Sequence, residues 1–335
     1  MKALVLHNPQ EFSVRDDWPK PQAREGWCVV KVKYSGICGS DLPRMMLTGS
    51  YDHPKICGHE FMGYIEEPAP GSKKFKRGDR VAVLPLIPCK KCAQCEAGHY
   101  FHCNGYNFIG SRTHGGFAEF CLTPEENLFH VPDGIDERIG AFMEPIMVAL
   151  HTVRRSGFKK GENAVVFGAG NIGILTAMWL RNLGAERVAI VSRSENSIVT
   201  ARACGFKHVI KAVDGNFDQY KDFDHCFEAA GSTEALIHAI EKVKRRGTIT
   251  VIGRDTKEMN IPLKIFEQFM RKEVVLKGCW GYEPAEKEIL QEIFTEGRFP
   301  IQPLISREAT LAEGEHLIKD MFHKKNYFCK VLFKL

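Results

Sequence analysis

The chain has 335 residues, with 46 Lys or Arg against 41 Asp or Glu, a formal charge of +5 and the signs interspersed. Its length exceeds one typical domain and its 44% apolar content is that of a globular protein, so two compact units are expected. No basic stripe points to nucleic acid, no run of about 18 apolar residues points to a membrane span, and the opening MKALVLHNPQEF has no apolar signal core. Twelve cysteines, four of them closely bunched, fit a reducing cytoplasmic compartment better than a disulfide framework.

The first third alternates short strand-like runs, at residues 1–6, 28–34, 61–66 and 80–84, with Gly, Pro and charged turns. That is the pattern of a strand-rich, barrel-like domain. Within it Cys38 stands in the run Gly36, Ile37, Cys38, Gly39, Ser40, Asp41, and His59 in Gly58, His59, Glu60. A thiolate, an imidazole and a carboxylate can bind zinc while leaving one exchangeable position. Glu144, between Met143 and Pro145, is the preferred third protein ligand; Glu60 either takes the fourth position transiently or orients the ligands from behind. Taken singly, each has a plainer reading: Cys38 as a small buried residue, His59 as a hydrogen-bonded core histidine, Glu144 as a cap or surface acid.

Cys89, Cys92, Cys95 and Cys103 form C-x2-C-x2-C-x7-C in a Pro-, Lys- and Gly-containing stretch with few bulky apolar residues. Four thiolates make a closed tetrahedral zinc site with no room for substrate, and such a cross-link holds together a lobe that lacks its own core. This metal is expected to be structural, the one at Cys38 catalytic.

From about residue 162 strands and helices alternate, which predicts a parallel sheet covered on both faces. Strands are expected at 164–167, 187–191, 208–210, 223–228, 248–253 and 274–278, and helices at 172–183 and 196–204. Gly168, Gly170 and Gly173, with Asn171 and Ile172 between them, form G-x-G-x-x-G directly after a strand and at the opening of a helix. There the first glycine permits the tight turn, the second admits a pyrophosphate to the backbone and the third lets helix and strand pack closely. The second strand ends in Ser192 and Arg193, where an NAD site normally carries an acid; the first acid here is Glu195. A serine hydroxyl and a guanidinium suit a 2′-phosphate, so NADP is favoured over NAD, with a solvent-facing arginine as the alternative. The tail from residue 300 returns to strand-and-turn character and is expected to close onto the first domain.

Together, residues 36–41, 58–60, the four-cysteine lobe, the run 115–119, Glu144 with Pro145, and 168–173 resemble the zinc-containing medium-chain alcohol and polyol dehydrogenases over essentially the whole chain. The resemblance implies a GroES-like catalytic domain (1–150, including the lobe 89–103), a Rossmann cofactor domain (151–290), and a segment 291–335 returning to the first, with an active cleft between the domains. It also implies a catalytic zinc at Cys38, His59 and Glu144 with Glu60 movable or supporting, Ser40 as proton-relay hydroxyl, and a homodimer or homotetramer. Ser192 and Arg193 depart from the acid usual among NAD-using relatives.

A metal at Cys38 would act as Lewis acid on a secondary alcohol, and the dinucleotide would take the hydride. The runs at 38–44, 84–89 and 108–112 most resemble members that act on a polyol phosphate of the galactitol-1-phosphate kind, giving a ketose phosphate. Arg44 and Arg112 are the candidates for the phosphate, because a guanidinium binds two phosphate oxygens at once; either can instead be a solvated or structural arginine. The alternatives are an unphosphorylated polyol or secondary alcohol and, in another class, a non-enzymatic NADP-binding redox sensor.

Overall fold

Residues 27–36 read WCVVKVKYSG, a β-branched run with most positions buried, and form a ten-residue strand. It is the spine of the amino-terminal unit. Glu60–Glu67 pairs with it antiparallel, and beyond that lie Arg80–Val83 and Leu128–His130. Phe120–Pro124 also pairs with the spine strand. On its other side Lys330–Lys334 runs antiparallel to it, with Leu332 opposite Gly36, and Ile305–Ala309 completes the seven-stranded sheet. This computed structural model describes residues 1–212, 219–254, 258–289 and 298–335. Two units result: Met1–Glu144 with Ile305–Leu335, and Pro145–Leu304. The expected boundary at 290/291 lies outside the described residues.

The first unit has a core built on Leu4, Leu6, Met45, Phe117, Ile318 and Phe333, so the chain's two ends share one apolar cluster. The tail differs from expectation in one element. Between its strands lies the helix Gly314–Phe322, preceded by a capping box in which Thr310 and Glu313 satisfy each other's backbone N–H groups. Leu317 and Ile318 are its buried face. Nine residues is too short for periodicity to announce a helix.

The second unit is a six-stranded sheet in the order His208–Lys211, Arg187–Ser192, Asn163–Phe167, Phe223–Glu228, Val243–Val251, Val275–Gly278, every neighbouring pair parallel. Relative to chain order this is 3-2-1-4-5-6, whose reversal beside the first strand makes a crevice at the carboxyl ends. Val243–Val251 begins five residues before the expected start at 248. Its first half carries Lys244, Arg245 and Arg246, a charge run that reads as loop, but Lys244 is neutralised by Asp224 on the neighbouring strand.

Candidate active site

Gly36 ends one strand and lies opposite Glu60, which opens the antiparallel neighbour. The residues just beyond these two ends are Cys38 and His59, so strand register alone sets them side by side. One ligand atom from each of Cys38, His59 and Glu60 lies within 4.8 Å of the others. Behind them Asp41, fully buried, accepts from the Cys38 backbone N–H at 3.1 Å and from Arg44 at 3.2 Å, and its Oδ1 lies 3.4 Å from His59 Nδ1. Burial would raise the Asp41 carboxyl, but His59 and Arg44 outweigh it and hold it below its usual range. Burial would also disfavour charge on His59, yet Asp41 and Cys38 raise its affinity for a proton well above the ordinary value.

Glu144 opens the helix Met143–Ser156 and is buried, but it is not one of the residues within that 4.8 Å set. Burial first, then the nearby Glu60, push its carboxyl up to about 7, while His59 and Lys330 oppose the shift. Four acidic groups (Cys38, Asp41, Glu60, Glu144) thus face two permanent cations, Arg44 and Lys330. That donor set, soft sulfur with imidazole and carboxylate, fits a divalent zinc-type ion. Lys330, which hydrogen-bonds Glu60, has no signal in the sequence, because 270 residues separate the two and only the returning tail strand joins them.

The Ser40 hydroxyl is exposed and donates to Cys38 Sγ at 3.3 Å. The two candidate arginines part company. Arg44 is occupied as the counter-ion of Asp41. Arg112 has its guanidinium over two tyrosine rings, 4.1 Å from the centroid of Tyr51 and 4.4 Å from that of Tyr106. Its Nε is buried without a hydrogen-bond partner, and among the described residues no carboxylate pairs with it. Arg112 belongs to a turn anchored on His59: its N–H bonds Phe108 O, and the Phe108 ring lies 5.6 Å from the His59 ring.

The sulfurs of Cys89, Cys92, Cys95 and Cys103 also converge within 4.8 Å of one another, with Cys92 and Cys95 3.6 Å apart. Backbone N–H groups of Cys95 and Asn104 pull the Cys92 thiol down to about 6, whereas burial and the neighbouring sulfurs raise Cys95. Four thiolates at this spacing need a cation among them, so the cluster fits a closed metal site. All twelve cysteines of the chain are free.

In the second unit Gly168 follows the strand Asn163–Phe167 at φ +109°, where a side chain would be strained, and a Cβ on Gly173 would sit 1.9 Å from Gly168 O. Gly170, the N-cap of the helix Asn171–Asn182, has nothing within 4 Å of where a Cβ would be. Asn171 Oδ1 beside it is buried and unpartnered. An open cradle at a helix N-terminus fits a pyrophosphate. Ser192 Oγ accepts from Ser194 N–H at 3.3 Å, which leaves its proton to donate. Arg193 is exposed and pairs with Glu234 at 3.0 Å, a partner the sequence reading missed because it lies 41 residues away.

A strand-rich unit with a Cys–His–carboxylate cluster and a four-cysteine lobe, joined in one chain to a parallel-sheet unit with a G-x-G-x-x-G turn, defines an oxidoreductase architecture. Residues 24–133 match the family model "Alcohol dehydrogenase GroES-like domain" and 171–295 match "Zinc-binding dehydrogenase". The chain belongs to the zinc-type medium-chain alcohol and polyol dehydrogenases, oxidoreductases acting on alcohol CH–OH groups. Galactitol 1-phosphate 5-dehydrogenase of Escherichia coli (strain K12) is 31% identical over 304 residues, 87% of this chain and 88% of that one. The crystal structure of galactitol-1-phosphate dehydrogenase from Escherichia coli superposes with TM-score 0.92 at 28% identity, covering 100% of both chains. Sorbitol dehydrogenase of Halalkalibacterium halodurans is 28% identical over 95% of this chain and 96% of its own. A Sinorhizobium meliloti structure bound to NADP aligns with TM-score 0.91 at 27% identity over 100% of this chain and 99% of that one.

Proposed function

We propose that this chain interconverts a sugar-alcohol phosphate of the galactitol-1-phosphate kind and its ketose phosphate, using NADP in preference to NAD. The observation that carries the substrate is Arg112: a guanidinium lying over two tyrosine rings, with no carboxylate paired to it among the described residues, on the turn that touches His59. The aromatic rings support the charge by cation–π contact without using its N–H groups, which can then meet phosphate oxygens.

Cys38, His59 and Glu144 would hold one zinc, with Glu60 movable or supporting behind them, and the four cysteines of the lobe would hold a second, structural one. When bound, the first lowers the proton affinity of a substrate hydroxyl by Lewis acidity, and nicotinamide is the hydride acceptor. The protein's own groups do the rest. Asp41 fixes the Cys38 backbone and sets a carboxylate oxygen 3.4 Å from His59 Nδ1. Ser40 Oγ takes the hydroxyl proton toward solvent. The turn at Gly168, Gly170 and Gly173, with Asn171 and Ile172, receives the pyrophosphate, and Ser192 and Arg193 receive the 2′-phosphate. The absence of an acid at the end of that strand supports NADP, as does the NADP-bound relative.

The enzyme works as a homodimer or homotetramer in the cytoplasm; twelve free cysteines support that compartment. Among the described residues no helix is long and apolar enough to cross a membrane. The test is a matrix of polyols, polyol phosphates and ketose phosphates against both nicotinamide cofactors. The proposal expects turnover concentrated in the phosphorylated pairs with NADP, and equal kcat/KM for a polyol with and without its phosphate would overturn it.

A further inference from the structure

We propose that Lys330 is a positioning residue of the Cys38–His59 centre: its ammonium clasps the two chain segments that supply those side chains and holds Glu60 back, keeping one metal position exchangeable. The inference rests on the reading of Cys38 and His59 as metal ligands.

Lys330 opens the strand Lys330–Lys334, and its side chain is 4% exposed. A buried ammonium costs several kcal/mol unless it is well paired, so its contacts are informative. Nζ donates to Ile37 O at 3.2 Å and to Glu60 Oε2. Ile37 immediately precedes Cys38, and Glu60 immediately follows His59. One cation therefore ties the backbone beside the sulfur to the side chain beside the imidazole.

The Glu60 carboxylate is confined on its other side as well. A Cβ on Gly36 would lie 2.5 Å from Glu60 Oε2, so the glycine leaves just the space that oxygen fills. Asp41 is already committed to Arg44 and the Cys38 N–H, which leaves Lys330 and Glu60 as a separate pair. With Oε2 on the ammonium, a single oxygen of Glu60 remains for the metal side. Without the ammonium, a carboxylate 1% exposed and close to Glu144 would find its nearest compensating charge in the metal ion. It would then close the position that a substrate oxygen must enter.

The test uses the full-length protein loaded with cobalt(II), the Cys38-centred ion being identified by the absorption bands that Cys38→Ser removes. Imidazole serves as the probe of the exchangeable position and 1,10-phenanthroline as the chelator. Lys330→Met is expected to shift those bands, to abolish their response to imidazole and to slow chelator removal of that ion about tenfold; Lys330→Arg should restore the imidazole response. Folded Lys330→Met with wild-type bands, imidazole response and release rate overturns the proposal. Should Lys330→Met not fold, Glu60→Gln and the double variant Glu60→Gln/Lys330→Met decide. Equal imidazole binding by both supports action through Glu60, and a response lost only in the double variant refutes it. Absence of any Cys38-dependent band in the wild-type protein would instead sink the metal-centre reading itself.

Discussion

Two arginines that look interchangeable in the sequence have opposite surroundings, and their variants should behave differently. Arg44 neutralises a buried carboxylate that also faces His59, so Arg44→Ala should lower turnover of every substrate and weaken the metal at Cys38. On the proposed reading, Arg112→Ala removes a charged hydrogen-bond donor to the substrate phosphate and leaves the metal centre intact. Its expected effect is a loss of about 1.5–3 kcal/mol, roughly 10–100-fold in kcat/KM, for the phosphorylated substrate and little change for its unphosphorylated counterpart. Steady-state kinetics on the two substrates separates these outcomes, and a loss of equal size on both would remove Arg112 from phosphate recognition. At the cofactor end Arg193 is bound to Glu234 in an exposed pair, a contact worth at most about 1 kcal/mol. A 2′-phosphate can displace such a partner. Arg193→Ala should therefore weaken NADP about tenfold and NAD little, while Glu234→Gln should strengthen NADP about two- to fivefold. Fluorescence titration with both cofactors measures this, and parallel changes for NAD and NADP would refute the assignment. Cys38 and His59, which the fold brings together, were legible because each stands in a short local motif. Lys330, Glu234 and Tyr51, the last beside Arg112, were not, since their partners lie tens to hundreds of residues away in the chain.

The four-cysteine lobe is the element with least apolar support. It has only a four-residue helix, Ala93–Glu96, and a three-residue helical turn, Tyr100–His102, between its ligands, too little to hold itself. Phe101 and Lys90 reach outward: the Phe101 ring lies 6.2 Å from Phe108, which in turn contacts His59, and Lys90 pairs with Glu126. Cys89→Ser should remove the proposed structural zinc and cost about 2 kcal/mol or more, a fall of about 4–8 °C in Tm. Metal analysis with thermal unfolding checks this, and an unchanged Tm after loss of that ion would argue against a structural role. The same comparison of local with non-local forces explains which elements the sequence announced. Strand Asn163–Phe167 and helix Asn171–Asn182 matched expectation within a residue, because an apolar run and a glycine turn are local signals. The helix Gly314–Phe322 and the basic half of Val243–Val251 escaped it. Each owes its conformation to a tertiary partner: the apolar core under Leu317 and Ile318 for the helix, Asp224 for Lys244 in the strand.

At the scale of the whole molecule, one surface of the second unit is out of keeping with a lone chain. Val275–Gly278 is the terminal strand of the parallel sheet, and among the described residues nothing pairs with its outer edge. Val275 and Leu276 are both exposed there, and Trp280 is 60% exposed just beyond. The preceding helix Leu263–Arg271 shows Leu263, Phe266 and Met270 to solvent, an apolar i, i+3, i+7 face. An open strand edge beside apolar side chains is a surface that proteins normally cover or blunt with charge. A second copy can cover it by antiparallel pairing of the same strand about a twofold axis, which satisfies both edges with one self-complementary contact. This is the structural support for the proposed homodimer, and a tetramer would need a further contact elsewhere. Leu276→Lys places a charge on that edge without touching the metal centre or the glycine turn. Sedimentation of the wild-type protein should give a dimer or tetramer, and the variant should shift to smaller species as concentration falls, with its far-UV spectrum unchanged. A wild-type monomer at micromolar concentration would leave the exposed edge unexplained and the assembly proposal without support, whereas a Leu276→Lys variant that stays fully associated would move the interface to another surface.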